Sequence, residues 1–162
     1  MISFPQAPRD PHREERFATI FRGNQDAIRL LDYFRLVSHV WDDLIDRDKP
    51  VPPEDISGAF WTAMFEIPAN PFWSRFHAIL IPALRLGAFS WLASVQLERD
   101  KENPLSREIA HVCRFDVGDV AILMAELIGG TQWAAQHAAE LKLLVRDEPF
   151  ALYVADLEAH DR

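Results

Sequence analysis

Cysteine is almost missing from this 162-residue chain, where Cys113 stands alone. A single thiol excludes an internal disulfide and any cysteine-rich zinc site, and it fits a reducing, cytoplasmic setting. Glycine is scarce at six residues, and none of them sits in a glycine-rich phosphate loop or a nucleophile elbow. No uninterrupted apolar run approaches the ~18 residues of a membrane span, and no charged, apolar and small-residue succession marks a secretory signal at the N-terminus. Positive charge is short as well, since 17 Lys and Arg against 25 Asp and Glu leave a formal charge of −8. Without a basic stripe, direct binding to nucleic-acid phosphates or to anionic lipid is disfavoured. Sustained period-two alternation is also lacking, so no segment reads as a strand.

What the chain does have is apolar mass with helical periodicity. At 49% hydrophobic residues, one domain over residues 1–162 is large enough to bury a core, with residues 1–10 as a loose lead-in. Proline and cap residues punctuate it into an all-α bundle of six or seven helices. A first helix is expected from Pro11 to Phe21, and a central one from Gln25 to Asp46 behind the Asn24 cap. A third should run from the Pro52-Pro53 start to Glu66. Asn70-Pro71 opens a long apolar segment to Lys101, in which Pro82 implies a kink or two helices. The next helix is expected from Asn103-Pro104 through Leu127 or Ile128, where Gly129-Gly130 stops it. A helix capped by Thr131 then reaches Arg146, and a short one from Pro149 reaches Ala159. The five tryptophans, Trp41, Trp61, Trp73, Trp91 and Trp133, read as core residues.

Chemistry gathers at the end of the central helix, in His39-Val40-Trp41-Asp42-Asp43-Leu44-Ile45-Asp46-Arg47-Asp48. At the helical repeat His39, Asp42 and Asp46 fall within an arc of about 60°, with Asp43 just beyond. A second column lies further on, where Glu108, Asp119 and Glu126 share an arc of about 20° and Asp116 lies about 60° away. Two such columns facing each other repel unless cations lie between them. Magnesium is the natural ion, because it takes carboxylate oxygens and keeps waters for a phosphate ligand. The expectation is that residues 25–46 and 105–127 pack as neighbours, with His39, Asp42 and Asp46 turned toward Asp116 and Asp119.

Asp42-Asp43-Leu44-Ile45-Asp46 is a DDxxD string, and its setting resembles the first aspartate-rich motif of the trans-isoprenyl diphosphate synthases. Phe115-Asp116-Val117-Gly118-Asp119 is similar, more loosely, to that family's second motif. The resemblance implies a shortened form of the family's all-helical terpenoid-synthase-like bundle. It also implies Mg²⁺ on Asp42, Asp43 and Asp46, with Asp116 and Asp119 opposite, engaging a small-molecule diphosphate. Trp41 stands where the family has histidine, and the family's paired arginines are absent. Arg35, Arg47 and Lys49, with His39 and Glu126, are then the residues left to meet the substrate.

Other readings of the same residues stay open. The aspartates can be the solvated end of a helix, although acids at a C-terminus oppose the helix dipole. His39 and His111 read as hydrogen-bonding residues rather than ligands, and His77 and His137 have no partner at zinc-ligand spacing. Three functions remain: magnesium-dependent binding or processing of a diphosphate, a small all-α nucleotide pyrophosphohydrolase, and a non-catalytic acidic protein that docks a protein partner or another copy of itself.

Overall fold

Each helix starts where the sequence supplies an acceptor for its orphan amides. In the computed structural model, which describes residues 10–46, 50–114, 117–146 and 149–160, every regular element among the described residues is helical. Backbone contacts group the chain into two units, Met1–His77 and Ala78–Arg162. Among the described residues, seven α-helices span nine residues or more, with two shorter ones between them.

The first unit opens with α1 (Pro11–Ile20), whose N-cap Asp10 accepts from the His12 amide at 3.0 Å. The chain turns at Arg22 and Gly23, both with positive φ, and Asn24 Oδ1 then accepts from the Ala27 amide at 3.0 Å to start α2 (Gln25–Asp46). After residues 47–49, which lie outside the described set, α3 (Pro53–Trp61) passes into a π-helical segment (Thr62–Glu66) and a last turn, α4 (Ile67–Ala69). The expected stop at Ile67-Pro68 is thus displaced. The wider π turn makes N–H bonds five residues back, as Ile67 does to the Thr62 carbonyl, and carries the helix into Pro68, which needs no donor in a first turn. Asn70 ends it and caps α5 (Pro71–Glu98), with Oδ1 accepting from the Phe72 and Trp73 amides at 2.9 and 3.1 Å. The same side chain donates through Nδ2 to the Asp26 carbonyl at 2.9 Å, pinning the start of α5 to the start of α2. Phe17, Ile20, Phe21, Ala27, Leu30, Leu31, Phe34 and Phe72 are the buried heart of this unit, and Trp73 meets Phe34 edge-on at 6.0 Å.

α5 is continuous through Pro82, so the two-helix alternative does not occur. It is long and apolar enough to cross a membrane by length and composition, with little of it buried. Arg85 lies near its middle, where a bilayer centre would charge about 3 kcal/mol for the guanidinium, so no clear membrane span emerges.

In the second unit the helix expected from Pro104 to Ile128 is two. Its start moves to Ser106 because Asp100 and Asn103 spend their side chains on turns. Asp100 accepts from the Glu102 and Asn103 amides and from Ser106 Oγ, and Asn103 accepts from the Leu105 amide. These bonds, the one from Ser106 first, hold the Asp100 carboxyl below its ordinary range. α6 (Ser106–Cys113) then stops at Arg114, whose guanidinium is committed to Glu98 at 3.0 Å. α7 (Val117–Gly129) packs lengthwise on α8 (Thr131–Leu144). Gly118 permits that approach, since a Cβ there would lie 2.9 Å from Lys142 Cδ. Thr131 is the first residue of α8 rather than its cap; Gly130, with φ of 86°, holds the cap position. α9 (Phe150–His160) packs on α6. Leu80, Ala110, Val120, Ala121, Met124, Ala125, Leu141 and Tyr153 are buried here.

Candidate functional site

Asp42, Asp43 and Asp46 fall in the last turns of α2, with Asp42 and Asp43 half-buried and Asp46 exposed. His39 is exposed one turn earlier, and Arg35 is half-buried another turn before it. The last turn of α2 itself carries no basic residue. Arg47, Lys49 and Asp116 lie outside the described residues.

Asp119 and Glu126 belong to the second unit, and each is engaged within it. Asp119 sits in the first turn of α7, where an acid suits the dipole, and pairs with Lys142 at 2.7 Å on the exposed side of the α7–α8 hairpin. Glu126 accepts from Thr131 Oγ at 2.7 Å across the Gly129-Gly130 turn. Both therefore serve the hairpin, an assignment invisible on a helical wheel of one segment. Among the described residues, no three His, Cys, Asp or Glu side chains gather into a group that could hold a metal ion. The described donors do not fit a magnesium cage by themselves.

His111 is 4% exposed and packs against the rings of Phe150 and Tyr153, at 5.2 and 4.9 Å. Beside it Tyr153 donates to Glu98 Oε1 at 2.8 Å, Arg114 donates to the same oxygen, and the Arg114 guanidinium lies 5.5 Å from the Tyr153 ring centre. Burial, then the Glu98 carboxylate, push the Tyr153 phenol far above its ordinary range. This cluster joins the ends of α5 and α6 to α9.

The feature that sequence reading missed is apolar. On α3 and the π-helical segment, Ile56, Phe60 and Met64 recur every fourth residue, and Trp61 and Phe65 follow beside them with ring centres 4.6 Å apart. All five are exposed, Phe60 at 67%, Met64 at 54% and Phe65 at 53%. Trp61 donates through Nε1 to Glu66 at 3.1 Å, and Glu66 also accepts from Tyr33 of α2, whose phenol is raised by burial first and by Glu66 next. That carboxylate fixes one end of the ridge. Trp41, Leu44 and Ile45 at the end of α2 are exposed too, so the wide apolar arc of that helix is covered along Leu30, Leu31 and Phe34 but not at its C-terminus. Trp41 and Trp61 are not core residues. The signal available beforehand was the run Ile56 to Ile67, too apolar for one buried helical stripe.

Compared with family models, curated proteins and solved structures, the chain gives no match.

Proposed function

We propose that this chain is an interaction module rather than a catalyst, and that it docks a protein partner through the ridge of Ile56, Phe60, Trp61, Met64 and Phe65. The carrying observation is the exposure of Phe60, Met64 and Phe65 at half or more of their surface, side by side on one short stretch of helix. Covering the ridge would remove on the order of 500 Å² of apolar surface, worth about 12 kcal/mol gross before the costs of association. Patches of that size on a monomer are often functional. Two of the five residues stand on the π-helical segment, a rare geometry found frequently at functional sites.

The pair Phe60→Ser with Met64→Ser tests this in the full chain by urea unfolding and binding of a hydrophobic fluorophore. A docking face that is open in the free protein loses no more than about 1 kcal/mol in total, as exposed positions do, while fluorophore binding falls. A loss of several kcal/mol would mean that the ridge is already covered within this chain, and would overturn the proposal.

The second reading is the magnesium–diphosphate one, which the DDxxD resemblance suggests. One observation favours it: α2 gathers Asp42, Asp43 and Asp46 of that string in its last turns. Asp42 and Asp46 would hold the magnesium ion, and Arg35, Arg47 and Lys49 would meet the diphosphate.

A further inference from the structure

We infer that the occupant of the ridge is an amphipathic helix of a partner protein carrying lysine or arginine along the flanks of its apolar face. The inference rests on the reading of the ridge as a docking face and adds the chemistry of what docks.

The ridge is built for a helix by its spacing. Ile56, Phe60 and Met64 run along about two turns, which matches a partner presenting apolar side chains at i, i+3 or i+4, and i+7. Trp61 and Phe65 widen it into two rows, so that the apolar surface is broader than a single line of side chains. Large aromatic residues are the kind that carry binding energy at such contacts.

Charge then selects among occupants. Residues 50–74, which include α3, the π-helical segment and α4, contain Glu54, Asp55 and Glu66 and no lysine or arginine. Residues 36–46 of α2, the helix packed against α3 and the π-helical segment, contain Asp42, Asp43 and Asp46 and again no lysine or arginine. The connecting residues Arg47, Asp48 and Lys49 return only one net positive charge. Glu54 and Asp55 occupy the first turn of α3, next to Ile56, and Glu66 closes the far end beside Trp61 and Phe65. The apolar rows therefore have carboxylates at both ends. An anionic membrane surface meets these charges with repulsion. A second copy presents the same carboxylates to its twin, so ridge-on-ridge pairing sets like charge against like. A basic amphipathic helix matches both features, its apolar face covering the rows and its flanking cations meeting Glu54, Asp55 and Glu66. Complementary rim charge of this kind raises the association rate and makes binding salt-sensitive.

The experiment titrates the full chain against three synthetic helices of about 16 residues, roughly 24 Å long. They share one leucine face and differ only in flanks of lysine, glutamine or glutamate. The lysine peptide should bind about ten-fold or more tighter than the glutamate peptide, and lose affinity as salt rises through the physiological range. Phe60→Ser with Met64→Ser should abolish binding of all three. Glu54→Gln with Asp55→Asn should narrow the difference between lysine and glutamate peptides without removing binding. Equal affinity for the lysine and glutamate peptides overturns the charge inference and leaves the docking face standing. No binding by any peptide, anionic phosphatidylserine vesicles binding more tightly than the lysine peptide, or a dimer in sedimentation that the serine pair dissolves would each overturn the inferred occupant. The unfolding test of the serine pair shows separately whether the ridge itself is open.

Discussion

Asn70 does two jobs with one amide: it caps α5 through Oδ1 and ties α5 to the Asp26 carbonyl through Nδ2, while 4% exposed. Asn70→Ala is expected to cost about 2 kcal/mol in urea unfolding, a cap's ~1 kcal/mol plus ~1 kcal/mol for the lost tie to the half-buried Asp26 carbonyl, which keeps its bond within α2. Half of that role was legible, because Asn followed by Pro announces a helix start; the bond to Asp26 was not, since it spans 44 residues. Tyr153 shows the same limit more strongly. Its partner Glu98 is 55 residues away, and nothing local predicts the pair. Tyr153→Phe should cost about 1–2 kcal/mol near neutral pH, the price of leaving Glu98 one donor short. The sign of the pH dependence follows from the raised phenol. The folded state keeps a proton that the unfolded chain releases near pH ~10, so the contribution is complete below that value and shrinks as pH climbs above it. Alkaline unfolding curves of the wild type should therefore fall more steeply above that pH than those of Tyr153→Phe; parallel curves would contradict this.

At the scale of elements, α1, α2 and the start of α5 were readable because caps and prolines act over three or four residues. The division into α6 and α7 was not. α6 ends at its C-cap Arg114, whose side chain pairs with Glu98 on a different helix. Asp119 and Glu126 lined up on one face of the helix expected there, yet their partners Lys142 and Thr131 lie beyond the next turn. That turn offers a direct check. A Cβ added at Gly129 would lie 2.2 Å from Trp133 Cδ1 and 2.8 Å from its Cβ, so the tryptophan must shift as a whole. Gly129→Ala should destabilise by about 1–3 kcal/mol as overpacking does, outweighing the gain in helix propensity. A thermal melt unchanged or raised would mean that the hairpin is looser than this packing.

For the whole molecule, acidity and apolar exposure belong to the same account. Residues 36–74 hold seven acids against Arg47 and Lys49, a net negative charge that disfavours biological polyanions and favours cationic partners. The acidity was plain in composition, and so was helicity. Which apolar residues stay uncovered was not, because Trp41 and Trp61 carry the same local pattern as the half-buried Trp73, Trp91 and Trp133 and only tertiary packing separates them. The two readings of the acids diverge on what raises stability, since a ligand bound only by the folded state shifts melting by mass action. The deciding measurement is the melting temperature of the full chain with millimolar Mg²⁺ and pyrophosphate, and separately with the lysine-flanked leucine helix. The interaction account predicts a rise with the peptide and none with magnesium and pyrophosphate. A rise with magnesium and pyrophosphate, lost in Asp42→Asn, together with indifference to the peptide would contradict it.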